Sequence, residues 1–376
     1  MGKLVFVWDN FGPLHADRCN AVAKRFEGRH QVIGLELAGR SKVYDWLPED
    51  GTHFRKITLV SGRSLEEIPF IKRFGKTLSA CLAQGSDSRY FLCHYQDPAI
   101  FSIAATLRSL GRPVYTMGCS KFDDYPRKLP REFLKSLMYL PYAGAIASGV
   151  RSCQYMHFMG IPSEKIQSAY NSVSLDRIRQ LSGVPIAPNG VPFRERHFTI
   201  VARFVAKKNI SMALRAMKLY AQQVSNPRAL HLFGSGPLEA ELRHQARESG
   251  IEDLVHFRGF LQTREISSAY GRSVALLLPS IEEQFGNVIP EAQAMGLPII
   301  LSDNCGGRDL LVRSGVNGFV IEPDNPTGLA FFMRLISEDE NLWRRMCIDS
   351  QAFAERADSA RFAEAVEALI APAQVS

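Results

Sequence analysis

A chain of 376 residues with 46% hydrophobic and 22% charged side chains has the make-up of an ordinary soluble globular protein, and its length predicts two domains. No apolar run reaches the roughly 18 residues of a membrane-crossing helix, which excludes that class. Residues 1–190 carry 25 Lys and Arg against 16 Asp and Glu, a balance of +9, while residues 191–376 balance at −2. The basic half therefore suggests acidic partners: a phosphorylated substrate, anionic lipid or nucleic acid.

Residues 3–8 read as an apolar strand closed by Asp9, a run too short for the core of a signal peptide. A turn-rich loop with Gly12 as its only glycine follows, then helical spacing from Leu14 to Phe26 and a second strand at 32–37. This opening is that of a nucleotide-binding half-fold, without the Gly-x-Gly-x-x-Gly fingerprint. Residues 90–94 read as another strand, with His94, Asp97 and Pro98 past its end and a helix over 99–110. A histidine in such a place is more often a satisfied core residue than a ligand. A strand at 114–117 comes next.

In 121–141, Lys121, Arg127, Lys128, Arg131 and Lys135 alternate with Phe122, Tyr125, Leu129, Phe133, Leu134, Leu137 and Met138. Such a segment either packs its apolar face on its own protein or lies in a membrane interface. A small-residue strand at 143–148, a helix at 149–159 and a short strand at 165–171 complete the first half. Residues 183–196 hold three prolines and two glycines, which predicts extended or turning backbone. The charge balance changes there too, so the domain boundary is placed in this stretch, between domains 1–185 and 195–358.

The second half restarts the pattern. A strand at 197–202 leads to a loop with Arg203 and Lys208, suited to phosphate oxygens as a fixed fork and a mobile point charge. After a strand at 229–233, Gly234, Gly236 and Pro237 form a turn that lets backbone approach a ligand closely. Residues 255–261 form a strand and turn ending in Phe260 and Leu261. Residues 274–278 are a buried-strand run, and a helix begins near Gly286, Asn287 and Val288, where orphan N–H groups attract anions. Glu283 lies beyond the strand's C-terminal end, where open α/β sheets bind ligands, and Glu291 about one turn into the helix. Gly296 and Pro298 stop that helix. Two carboxylates alone are more often solvated surface groups. Helices at 326–336, 339–354 and 359–371 end the chain. The seven cysteines are scattered without a metal-binding spacing, which predicts buried free thiols and a reducing, cytosolic compartment.

The stretch 280–300 resembles the E-x7-E motif of the GT-B retaining glycosyltransferases of family 4 type, the glycosyl transferases group 1. Glu283 and Glu291 have its spacing, Phe285 and Gly286 follow the first Glu, and Ala292, Ala294, Gly296 and Pro298 match the rest. Arg203 and Lys208 are similar to that family's Gly-Arg-x-x-x-x-Lys diphosphate site, with Ala202 in place of Gly, and Gly234 to Pro237 to its donor turn. The resemblance is strong over 195–330 and diffuse over 1–180. There no His follows the strand at 114–117, and Ser172 and Ser174 replace a Gly and an Asp.

The resemblance implies an α/β chain of the GT-B type, two Rossmann-like domains facing a central cleft, with residues 359–376 packing back on the first. It implies a retaining, metal-independent hexosyltransferase that uses no cofactor. The donor would be a UDP- or GDP-sugar; the acceptor would be a glycan or lipid-linked glycan of bacterial surface polysaccharide synthesis. Glu283, Arg203 and Lys208 take the catalytic roles. Gly12, Gly234, Gly236, Phe260, Leu261, Phe285, Gly286, Asn287, Val288 and Glu291 bind the donor, and His94 and Asp97 touch the acceptor or sugar. No Asp-x-Asp sequence suggests a metal. Read from the residues themselves, the cysteines predict a cytoplasmic location, the basic half and its amphipathic segment peripheral contact to an anionic membrane through 121–141, and the lack of a recognised module no nucleic-acid partner. The rival readings are a nucleotide-sugar epimerase of the same fold and a non-catalytic nucleotide-sugar binder.

Overall fold

A computed structural model describes residues 2–41 and 51–371. The chain divides into two compact units, one holding the residues up to Ser174 together with those from Ser359, the other Leu175–Asp358.

The first unit is built on a parallel sheet of seven strands: β1 (Gly2–Trp8), β2 (His30–Glu36), β3 (Arg55–Thr58), β4 (Ser88–Cys93), β5 (Val114–Gly118), β6 (Ala145–Ala147) and β7 (Ile166–Ser168). Their order across the sheet is β3-β2-β1-β4-β5-β6-β7. Alternation along β1 divides the core: Val5 and Val7 face one side, Leu4 and Phe6 the other. The helices α2 (Phe70–Leu82), α3 (Pro98–Ser109) and α5 (Val150–Phe158) cover the Val5 side through Cys81, Ile103 and Tyr155. On the Leu4 side lie α1 (Pro13–Arg25), through Cys19 and Val22, and the last helix, Ser359–Ile370, through Phe362 and Val366.

Between β5 and β6 runs α4 (Leu129–Ser136), and it is turned inside out. Its charged side chains Glu132 and Lys135 are buried, whereas Leu129, Phe133 and Leu134 are 67%, 70% and 64% exposed. An ion network holds it down. Glu132 accepts from Arg127 at 3.1 Å, from the Tyr155 hydroxyl at 2.7 Å and from Lys135 at 3.0 Å. Burial alone raises the Glu132 pKa, but Tyr155, Lys135 and Arg127 outweigh it and hold the carboxyl below its ordinary value.

The second unit repeats the plan with six parallel strands: β8 (His197–Val201), β9 (Leu230–Phe233), β10 (Val255–Gly259), β11 (Ser273–Leu278), β12 (Ile299–Ser302) and β13 (Gly318–Ile321). They are ordered β10-β9-β8-β11-β12-β13. Eight helices belong to this unit: α6 (Leu175–Ser182), α7 (Ile210–Gln223), α8 (Glu239–Glu248), α9 (Thr263–Gly271), α10 (Val288–Ala294), α11 (Arg308–Leu311), α12 (Pro326–Glu338) and α13 (Glu340–Ala354). The Ser359–Ile370 helix, α14, lies against α1 in the first unit.

The division falls at Ser174 and Leu175, earlier than the Pro-rich stretch 183–196. That stretch is an ordered strap on the second unit. Buried Arg196 donates to the carbonyls of Asn189, Gly271 and Ser273 at 2.7, 3.0 and 3.1 Å, and Phe193 packs on Trp343 with ring centres 4.9 Å apart. One guanidinium thus ties the stretch, through the Asn189 carbonyl, to the end of α9 and the start of β11.

Near the N-terminal ends of β8, β9 and β10, His197 stacks on His231 at 3.7 Å, and His256 meets His231 edge-on at 5.0 Å. Burial, aided by the neighbouring histidines and Arg258, pushes His197 down to about 3. Burial, Arg258 and His256 push His231 down to about 4. The unfolded chain thus binds these protons more readily than the native one, so stability is full above the ordinary histidine pKa of about 6.5 and falls progressively as the pH drops below it. Denaturant titrations between about pH 7 and pH 4 should show this decline, and His231→Phe should flatten it.

Candidate active site

Strand order reverses between β8 and β11, since β9 lies on one side of β8 and β12 on the other side of β11. In open parallel sheets such a switch point opens a crevice at the C-terminal strand ends. The loop after β8 and the loop after β11 meet there. The Lys208 Nζ donates to Glu283 Oε2 in a direct ion pair, and both side chains are mostly buried, at 17% and 14% exposure. The backbone fixes this encounter: the Ile281 N–H donates to the Lys207 carbonyl at 2.9 Å, and Asn209 donates to the Pro279 carbonyl at 3.1 Å. Arg203 stands exposed at the start of the same loop.

The turn after β9 presses against that loop. Gly234 has φ +137° and Gly236 φ +158°. A Cβ on Gly234 would lie 1.9 Å from the Ala202 carbonyl oxygen, and one on Gly236 2.6 Å from that of Phe204. The Phe204 N–H donates to Ser235 at 2.8 Å, and the Gly234 N–H to Gly259 at 2.8 Å, so the loops after β8, β9 and β10 are laced together. Phe260 is 43% exposed and Leu261 half-buried in the segment after β10.

Beyond Glu283 the chain turns at Gly286, φ +92°, over buried Phe285 and enters α10 with Asn287 at the N-cap and Val288 first in the helix. Asn287 makes no side-chain capping bond; its backbone is already helical. The Gly306 N–H donates to the Glu283 carbonyl at 3.0 Å, and the Gly307 N–H to that of Phe285 at 2.9 Å. The α10 helix ends in a Schellman turn: Leu297 donates to Ala292, Gly296 to Gln293, and Gly296 has φ +77°. Glu291 accepts from the Tyr270 hydroxyl at 3.4 Å. Burial and the Glu291 charge drive the Tyr270 pKa well up, so Tyr270 keeps its proton and acts as the donor.

In the first unit, the C-terminal ends of β1 and β4 bring Asp9 and His94 together, His94 Nε2 lying 3.2 Å from Asp9 Oδ1. His94 sits in the left-handed region, φ +62°, which is rare for a side-chain-bearing residue. Burial opposes ionisation of Asp9, but His94 and the Asn10 N–H outweigh it and hold the carboxyl below its ordinary value. Asp97 serves the scaffold: it caps α3 by accepting from Ala99 at 2.7 Å and pairs with Arg73 at 2.8 Å. Gly12 is the N-cap of α1, its N–H given to His15 Nδ1 at 3.0 Å.

Thus Arg203, Lys208, Gly234, Gly236, Glu283, Phe285, Gly286, Asn287 and Val288 lie on the laced loops and helix start at one end of the second sheet. His94, Asp97 and Gly12 lie in the other unit. Sequence reasoning missed Asp9 and Tyr270, the partners of His94 and Glu291. An acidic residue closing the first strand was the signal for Asp9; a buried tyrosine in a helix gives none. Among the described residues, no group of three or more His, Cys, Asp or Glu is placed to hold a metal ion.

Two units of parallel sheet flanked by helices, with this switch-point site in the second, define the GT-B class of fold. Residues 186–353 match the family described as glycosyl transferases group 1, so the second unit belongs to that family. Solved structures agree in fold. Anabaena Alr3699/HepE in complex with UDP superposes with a TM-score of 0.70 at 18% identity, covering 97% of this chain and 98% of that one. The lipopolysaccharide outer core galactosyltransferase WaaB gives 0.68 at 18% identity, covering 98% and 99%. The D-inositol 3-phosphate glycosyltransferase of Streptomyces bingchenggensis is 34% identical over 33% of this chain and 27% of its own. A putative colanic acid biosynthesis glycosyltransferase, WcaL of Salmonella typhimurium, is 27% identical over 67% of this chain and 63% of its own. The matches to these two curated relatives thus span between about a quarter and two thirds of their lengths.

Gly234→Ala should lower the stability of the second unit by roughly 1–3 kcal/mol, because the left-handed backbone and the Ala202 carbonyl both resist a Cβ. Gly250→Ala, at φ +66° with open space around it, should cost only about 1 kcal/mol in the same denaturation experiment.

Proposed function

We propose that this chain is a retaining glycosyltransferase that moves a sugar from a UDP- or GDP-sugar to a glycan or lipid-linked glycan in bacterial surface polysaccharide synthesis. The observation that carries this reading is the Lys208–Glu283 pair at the switch point of a glycosyl transferases group 1 domain. The relatives support it: similar chains are named for colanic acid and amylovoran biosynthesis, and HepE is described with UDP and with UDP-glucose.

In this reading the donor's diphosphate draws Lys208 from Glu283 and takes Arg203 as a second cation. The N–H groups at Asn287 and Val288 add to the same anion site. Glu283, released, accepts hydrogen bonds from the sugar hydroxyls and orients the ring. Glu291 accepts from the ribose diol while Tyr270 steadies its second face. The bond from the anomeric carbon to the diphosphate oxygen breaks as the acceptor oxygen bonds to that carbon from the same face. The acceptor's proton passes to the departing diphosphate. Charge grows on an oxocarbenium-like ring and on the diphosphate, and Arg203 and Lys208 stabilise the latter electrostatically, without a metal or cofactor. His94, oriented by Asp9, is placed in the unit that receives the acceptor and contacts its hydroxyls. We place the reaction at the inner face of the cytoplasmic membrane, with 121–141 in peripheral contact and no nucleic acid involved.

Thermal-shift measurements with UDP, GDP, ADP and their sugar conjugates test the donor assignment. One nucleotide family should raise Tm, by the equivalent of about 2.7 kcal/mol at 100 times its Kd. Arg203→Ala should abolish most of that shift. An unchanged Tm with every nucleotide at millimolar concentration counts against the reading.

A further inference from the structure

We infer that α4 is a membrane-insertion element: its outward Leu and Phe side chains enter the hydrocarbon boundary of an anionic bilayer while its charged residues clamp it to the protein from beneath. This deepens the membrane placement proposed above; the donor chemistry does not depend on it.

The argument begins with polarity. An ordinary surface helix buries its apolar stripe and shows its charges to water. Here Glu132 and Lys135 point inward to Arg127 and Tyr155, and Leu129, Phe133, Leu134, Leu137 and Leu140 point outward at 45–75% exposure. Arg127, which donates to Glu132 at 3.1 Å and to the Phe122 carbonyl at 2.7 Å, ties α4 to Phe122 and Phe158, which meet edge-on at 5.5 Å and are about half exposed. Tyr155, Arg151, Asp123 and Gln154 line a cavity of about 380 Å³ with them. A cluster of exposed large apolar side chains on one short helix marks an interaction site.

Charge selects the occupant. The unit bearing α4 has 24 Lys and Arg against 17 Asp and Glu, a net +7, whereas the other has 21 against 21. Lys128, the residue before α4, and Arg131 in its first turn are exposed next to Leu129 and Phe133; of the nearby acids Asp124 and Glu132 are turned inward, and exposed Asp123 is paired with Lys121 at 3.1 Å and Arg151 at 2.8 Å. Apolar side chains rimmed by lysine and arginine fit lipid acyl chains beneath anionic headgroups. The basic residues thus divide their work. Lys121, Arg127 and Lys135 belong to the buried clamp, and Lys128 and Arg131 face the headgroups. A helix packed by its own ion network can keep its apolar face outward in water, so insertion requires no refolding.

The test uses the full chain with Phe133→Trp as a reporter, mixed with phosphatidylcholine vesicles with and without phosphatidylglycerol. The expected result is a blue-shifted emission on the anionic vesicles, quenched by acyl-chain bromines. Leu134→Asn with Leu137→Asn should weaken vesicle partition by more than about tenfold, because each large apolar side chain removed from a buried position is worth roughly that factor. Lys128→Gln with Arg131→Gln should weaken it less, and that deficit should disappear at about 1 M salt, where the Debye length is about 3 Å. Three outcomes overturn the inference: no sedimentation with anionic vesicles, sedimentation without a blue shift, or a dimer in light scattering that the leucine variant converts to monomer. The last would show the face to be covered by a second copy. Retention of the nucleotide thermal shift in every variant separates a failure here from a failure of the donor reading.

Discussion

The site depends on one ion pair, Lys208 with Glu283, held where β8 and β11 run side by side. Each partner comes from a loop that begins at a buried strand, and each loop is tied to its neighbours by backbone hydrogen bonds. Both side chains are more than four-fifths buried, so removing either would leave an uncompensated charge in a poorly solvated place. Each partner is therefore released only when other charged or hydrogen-bonding groups take the place of the one it loses. In the proposed reading a diphosphate replaces Glu283 as the partner of Lys208, and sugar hydroxyls replace Lys208 as the partners of Glu283.

Much of this was legible in the sequence because it is local. Buried strands are short apolar runs, and a helix start after such a run is marked by Gly286 and Asn287 and its end by Gly296 and Pro298. Arg203, Lys208 and Glu283 each follow a strand run, which places them beyond C-terminal strand ends, and the family resemblance joins them with Glu291 in one site. Long-range pairing was not legible. Asp9 and His94 meet only because β1 and β4 are neighbours in the sheet, and Tyr270 reaches Glu291 only because α9 lies near α10. The histidine stack has the same origin, since three strands must pair in register before His197, His231 and His256 touch.

Two segments show why composition alone misleads. Residues 183–196 have the prolines and glycines of a linker, yet Arg196 ties them into packed structure, because its buried guanidinium bonds at once to the carbonyls of Asn189, Gly271 and Ser273. Residues 121–141 have an amphipathic pattern whose orientation the sequence leaves open. Glu132 decides it, since its carboxylate accepts from Arg127, Lys135 and Tyr155 on the inward side of the helix. The apolar face must then point away. The two units also differ in charge, one net basic and the other neutral.

The most direct measurement is a crystal structure of the chain soaked with UDP-sugar or GDP-sugar. The account predicts the diphosphate within hydrogen-bond reach of Arg203 and Lys208, the ribose hydroxyls on Glu291, and Lys208 withdrawn from Glu283. A nucleotide bound elsewhere, or one whose phosphates leave the Lys208–Glu283 pair intact, would contradict it.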